Sequence, residues 1–136
     1  MTARPLPVPD ETSAAFWEAA ARHVLTVARC SRCGALSLPP GVVCTECGST
    51  DPRFAFVPVS GRGVIRSWII VRQTFLPGFD VPYSLVDVEL AESPGLRMIG
   101  RLLDGVDAEL TIGAPVLVAF EGLDSEIAVP AFELAR

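Results

Sequence analysis

Cys30-Ser31-Arg32-Cys33-Gly34-Ala35-Leu36-Ser37-Leu38-Pro39-Pro40-Gly41-Val42-Val43-Cys44-Thr45-Glu46-Cys47 carries all four cysteines of the chain, as two Cys-x-x-Cys pairs with ten residues between them. A two-residue spacer lets a tight turn aim both sulfurs of a pair at one point, and a tetrahedral zinc ion takes four such ligands at about 2.3 Å. Gly34 and Gly48 follow directly after the two pairs and supply the backbone freedom of a knuckle. The intervening residues suffice for a strand out and a turn back at Pro39-Pro40-Gly41. The pattern predicts a rubredoxin-like zinc ribbon with Cys30, Cys33, Cys44 and Cys47 as ligands. Four sulfurs fill the coordination shell, so one structural ion is expected, with no open position for water or substrate. Iron takes the same ligand set, and spacing alone leaves it open. Two disulfides are the competing reading. No apolar signal segment precedes the cysteines, so a reducing, cytoplasmic setting is expected, where disulfides are disfavoured.

The rest of the chain bounds what the ribbon can serve. It has 136 residues, half of them hydrophobic and a fifth charged, as in an ordinary small globular protein. No window approaches the roughly 18 apolar residues of a membrane span. The formal net charge is -5, and a four-thiolate zinc site takes it to about -7, which disfavours general affinity for nucleic acid. Residues 1–60 carry five arginines against five acidic residues, and residues 61–136 carry six against eleven. There is no lysine, so lysine Schiff-base chemistry is excluded and every side-chain cation apart from histidine is a guanidinium, suited to phosphate and carboxylate.

Three segments are expected: an arm and helix over 1–26, the ribbon over 27–58, and a β-barrel over 59–136. The prolines of residues 1–9 suggest an extended arm. Asp10 is placed to cap a helix running to about Arg22, with Trp17, Ala20, Ala21 and Val24 on one face and Phe16 beside them. Ser60-Gly61-Arg62-Gly63 marks a boundary, after which the period turns to two. Strands are predicted over 62–73, 83–90, 96–103, 115–122 and 126–134. Five antiparallel strands, the first long enough to bend through two sheets, predict a small OB-fold barrel, so the fold class is mainly β. A plain sandwich is the alternative.

No catalytic array is legible. His23 is the single histidine and stands at the expected helix end, where a surface or capping role is expected rather than catalysis. No nucleophile elbow, phosphate loop or dinucleotide fingerprint occurs. Asp87 and Glu89 share a strand face, as solvated carboxylates commonly do. Strict alternation puts Arg62, Arg66 and Arg72 on one face with Trp68, an arrangement suited to phosphate and a stacked base, as in coenzyme A or single-stranded nucleic acid. A solvated outer face is the competing account. Phe16 and Trp17 of the helix, and Phe75, Phe79 and Tyr83 around the turn at Pro77-Gly78, are candidates for a partner interface, with packing inside the chain as the alternative.

These residues resemble the zinc-ribbon-plus-OB-fold family, long catalogued as a domain of unknown function, whose members accompany thiolases and related enzymes. The resemblance spans nearly the whole chain. It rests on Phe16-Trp17, Arg29-Cys30-Ser31-Arg32-Cys33-Gly34, Pro39-Pro40, Cys44-Thr45-Glu46-Cys47-Gly48-Ser49, Ser60-Gly61-Arg62-Gly63, Gly113-Ala114-Pro115-Val116 and Phe120-Glu121. Gly41 and Thr45 depart from the arginine and proline common at those places, and neither is a metal ligand. The resemblance implies a non-catalytic subunit of a hetero-oligomer with a thiolase-like, synthase-like or lipid-transfer-type aldolase partner. It also implies a role in binding or passing on acyl-coenzyme A thioesters for carbon-carbon bond formation or cleavage. A single-stranded nucleic-acid-binding module is the alternative, opposed by the acidic balance, and a redox thiol protein is a third.

Overall fold

The computed structural model describes residues 4–135, and residues 1–3 of the expected arm and Arg136 lie outside the described residues. The element order is α1 (Ala14–Ala21), β1 (Thr26–Arg29), β2 (Leu36–Ser37), β3 (Ala55–Pro58), β4 (Arg62–Val71), β5 (Tyr83–Leu90), β6 (Arg97–Arg101), β7 (Pro115–Gly122) and β8 (Ala128–Leu134). A three-stranded antiparallel sheet, β2-β1-β3, forms the ribbon, and a five-stranded sheet, β6-β5-β4-β7-β8, forms the barrel. A bridge between Leu102 and Phe132 brings the end beyond β6 onto β8, so the barrel is nearly closed. No helix is long and apolar enough to cross a membrane.

The helix is shorter than its pattern suggested, for a local reason. The Asp10 carboxylate accepts from the backbone N–H groups of Thr12 and Ser13, both at 2.9 Å, and the Ser13 hydroxyl accepts from Asp10 N–H at 3.1 Å. This reciprocal box satisfies the orphan donors of the first turn, which is not yet α-helical, and the regular helix begins at Ala14. The buried positions are Ala19 and Ala20, whereas Ala21, placed on the apolar face by sequence, is exposed. The helix packs on β1 and β8. It ends in a Schellman motif: His23 N–H donates to Ala20 C=O at 2.8 Å and Val24 N–H to Ala19 C=O at 3.0 Å. His23 occupies the left-handed position, φ 61°, and its ring stacks on Phe120 at 5.1 Å. Of the surface or capping role expected of His23, the capping one is seen, with the residue itself still exposed.

Ribbon and barrel share a core. Leu25 and Val27, which lead into the first knuckle, are buried in one cluster with Ile65, Val86, Val88, Leu102, Val116 and Phe132. The Gly61-Arg62-Gly63 signature also has a packing cause. A Cβ on Gly63 would lie 2.5 Å from Val88 Cγ1 and 2.6 Å from the Glu89 carbonyl oxygen, so β4 and β5 approach closely only because no side chain stands there.

The faces of β4 differ from strict alternation. Ile65 pairs with Val88 and Ser67 with Asp87, so Arg66 sits in a β-bulge. One extra residue reverses the alternation beyond it. Trp68 pairs with Val86 and Ile70 with Ser84, both turned inward on β5, while Ser67 and Ile69 pair with the outward Asp87 and Leu85. Trp68 therefore stands on the opposite side of the strand from Val64 and Glu89, and does not share one continuous face with Arg62 and Arg66.

Candidate functional site

The four cysteines come together at the tip of the ribbon. All four Sγ atoms lie within 4.8 Å of one another, with Cys30–Cys47 at 3.9 Å and Cys33–Cys44 at 3.6 Å. A tetrahedron of sulfurs at 2.3 Å from a central ion has edges of about 3.8 Å, whereas a disulfide would bring two sulfurs to about 2.05 Å. The cysteines are free thiols. The geometry fits a metal and not two disulfides.

Each knuckle is tightened by its own backbone. Gly34 N–H donates to Cys30 C=O and Gly48 N–H to Cys44 C=O, both at 2.8 Å, with φ of 79° and 75° at the two glycines. N–H groups also point at sulfur, Arg32 to Cys30 and Ala35 to Cys33, both at 3.4 Å. The N–H groups of Cys47 and Glu46 draw the Cys44 thiol down to about 7. At Cys33 the Ala35 N–H favours the thiolate, but burial and the three neighbouring sulfurs outweigh it and push the thiol up to about 12. Four sulfurs that crowd one another in this way are relieved by a cation at their centre. Arg32 braces the site by reaching Asp51, which also pairs with Arg53 at 3.1 Å.

The predicted arginine set divides. Arg66 lies 3.9 Å from Glu89, whereas no acidic partner is seen for Arg62 or Arg72 among the described residues. The helix, lying on β1 and β8, does not cover them. Arg62, Val64, Ala91 and Pro94 border a cleft of about 350 Å³. It meets, at Ser93 and Pro94, a groove of about 820 Å³ between the ribbon and the turn before β6. Asp87 and Glu89 are committed elsewhere. Arg97 holds Asp87 at 2.5 Å, and Gly95 N–H donates to Glu89 at 3.0 Å.

The aromatic candidates divide as well. Phe16 packs against the core and meets Trp17 edge to face at 5.1 Å. With Phe56, Pro39 and Pro40 the two rings border an apolar cleft of about 250 Å³ beside the ribbon. Phe79 and Tyr83 lie against each other at 5.9 Å, and the Arg4 guanidinium covers Phe79 at 5.3 Å. Phe75 stands clear, 74% exposed.

Sequence reasoning missed the clamp that holds the arm. Glu121 accepts from Arg101 and lies 3.3 Å from Arg4, so the arm is tied to β6 and β7. Burial acts to raise the Glu121 carboxyl, but the hydrogen bond and charge of Arg101, with Arg4, hold it below the ordinary glutamate range. Phe120 and Glu121 thus fasten the helix and the arm, respectively, to the barrel.

The zinc ribbon domain of ChsH2, described as rubredoxin-like, matches residues 17–53, and the C-terminal OB-fold domain of ChsH2 matches residues 56–121. The chain is 34% identical to a probable enoyl-CoA hydratase alpha subunit of Thermomonospora curvata, over 97% of this chain and 40% of that protein. It is 32% identical to the 3-oxo-4,17-pregnadiene-20-carboxyl-CoA hydratase alpha subunit of Mycobacterium tuberculosis, over 84% of this chain and 35% of that one. The chain thus spans about two fifths or less of the length of these curated relatives. Among solved structures it is similar to a chain of an Ltp2-ChsH2(DUF35) aldolase, with TM-score 0.80, 33% identity, and coverage of 94% of this chain and 98% of that one.

Proposed function

This chain belongs to the ChsH2 (DUF35) family of zinc-ribbon and OB-fold proteins, and on that premise we propose that it is a non-catalytic accessory subunit of an acyl-coenzyme A-processing enzyme. Its partner is a lipid-transfer-type aldolase or a related thiolase-like enzyme. The observation that carries the reading is the likeness to the Ltp2-ChsH2(DUF35) aldolase chain over nearly its whole length. The contacts of the acid-base candidates support it: His23 is committed to a helix end, Asp87 to an ion pair and Glu89 to a backbone N–H.

In this reading the four cysteines hold one structural zinc, and the arm and helix (1–26), ribbon (27–58) and barrel (59–136) dock as a unit. The thioester lies along the cleft beside Arg62. Coenzyme A is anionic, so an acidic protein recognises it through guanidinium groups that no internal carboxylate neutralises, and Arg62, which borders the cleft, has no acidic partner among the described residues. Arg66 contributes once its weak contact with Glu89 yields, and Trp68 offers an apolar surface on the other side of β4. Phe16, Trp17, Phe75, Phe79 and Tyr83 are assigned to the partner-facing surface. Phe75 contacts the partner directly, whereas Phe79 and Tyr83 shape the loop that carries it.

The test is co-expression with the Ltp2 aldolase. The expected result is a stable complex on size exclusion, with retro-aldol turnover of an acyl-coenzyme A substrate by the complex and none by this chain alone. Separate elution with unchanged Ltp2 kinetics, or thioester turnover by the isolated chain, overturns the proposal.

A further inference from the structure

The distal half of β4 is an open edge. β7 pairs with β4 only at residues 62–64, and Ile65 makes the last contacts on that side, donating to Ala114 C=O and accepting from Gly113 N–H. Beyond the bulge, Ser67–Val71 is paired with β5 alone among the described residues. Which peptide groups point outward follows from the register. Ile65 turns its N–H toward β7, so its partner Val88 faces away from β4, and Asp87 and Ser67 then bond each other. Alternation leaves the N–H and C=O of Trp68 and Ile70 directed at the open side. The placement of Ser84 agrees, since its C=O accepts from Leu102 on the far side of β5.

This edge lacks the usual protection. Ser67-Trp68-Ile69-Ile70-Val71 has no charge and no proline, and Ile69 is 60% exposed, with Phe75 and Leu76 exposed at the same end of the hairpin. We propose that this edge receives a β-strand from the partner enzyme, which extends the barrel sheet by main-chain hydrogen bonds to Trp68 and Ile70. The inference rests on the accessory-subunit reading and specifies where that partner binds.

Charge selects the occupant. If a second copy of this chain paired antiparallel about Ile69, Arg66 of each copy would come to the same end as Arg72 of the other, on opposite faces of the sheet because of the bulge, so each end would gather two guanidinium groups, in addition to the repulsion between two chains of charge -5. A partner strand with an apolar centre and a carboxylate at the end that reaches Arg72 meets an arginine with no acidic partner among the described residues.

Hydrogen-deuterium exchange on the full chain, alone and with Ltp2, tests this. Alone, the Trp68 and Ile70 amides exchange rapidly while Ser67, Ile69 and Val71 are protected by β5. In the complex, Trp68 and Ile70 slow by at least about tenfold, the loss of exchange that one buried hydrogen bond brings. Ile70→Pro removes an outward donor without touching the β5 ladder, and is expected to weaken the complex about tenfold more than Ile70→Ala. A complex that leaves both amides unprotected and is indifferent to Ile70→Pro overturns this inference and leaves the accessory-subunit reading standing. Failure to form any complex overturns both. A homodimer of the isolated chain with both amides protected overturns the choice of occupant.

Discussion

Replacing Cys47 by serine is expected to unfold more than the ribbon tip. A structural zinc site of four thiolates contributes roughly 10 kcal/mol or more of apparent free energy at neutral pH, and a serine hydroxyl is a poor substitute for the lost ligand. From spacing alone, a damaged ribbon would detach and leave the barrel intact. The shared core changes that expectation. Leu25 and Val27 are fully buried among barrel side chains, and each such residue contributes about 1.5–3 kcal/mol, so the ribbon strand supplies roughly 3–6 kcal/mol of the barrel's own packing. A domain of this size has about 5–15 kcal/mol in total. Cys47→Ser, or chelation of the metal, should therefore collapse ribbon and barrel in one transition. The assay is metal content by elemental analysis together with thermal unfolding followed by far-ultraviolet circular dichroism. Tryptophan fluorescence adds a reporter on the helix at Trp17 and one on the barrel at Trp68. One equivalent of zinc is expected in the native chain and a large loss of Tm in the variant. Full metal retention by Cys47→Ser refutes the ligand assignment, and an unchanged barrel transition after metal loss refutes the shared-core argument.

Three further outcomes are expected. Gly63→Ala puts a methyl group 2.6 Å from a backbone oxygen of β5 and should cost about 3 kcal/mol, the upper end for overpacking, read as a lower urea midpoint; an unchanged midpoint refutes the close approach. His23→Ala keeps the left-handed strain and loses the stack on Phe120, whereas His23→Gly loses the stack but relieves the strain, so the alanine variant should be about 1 kcal/mol the less stable of the two in thermal denaturation. Glu121 is held below its unfolded value of about 4.3, so its contribution is present above that pH and lost as pH falls through the lower folded value; Glu121→Gln should cost about 1–2 kcal/mol at pH 7 and flatten the loss of stability between roughly pH 5 and pH 3, and equal pH profiles for the two proteins refute the clamp.

Much of this protein was legible in its sequence because the deciding signals are local. Two Cys-x-x-Cys pairs bring four sulfurs to a point through knuckles only a few residues long, and the five barrel strands follow from period-two runs bounded by Gly and Pro turns. The helix cap at Asp10 and the terminating role of His23 were equally local. What alternation could not supply was the bulge at Arg66, because an extra residue in β4 is defined only by its register against β5. That single residue separates Trp68 from Arg62 and Arg66 and turns the amides of Trp68 and Ile70 to the open side. Nor could spacing reveal that Arg4 meets Glu121 or that Leu25 and Val27 enter the barrel core, since contacts between residues far apart in the chain exist only once the strands have closed. The sequence by itself determined which four cysteines come together and where the barrel strands lie, and the tertiary structure alone decided how the strands are ordered, which faces they present and which edge is left open, because pairing, register and closure are properties of two segments together.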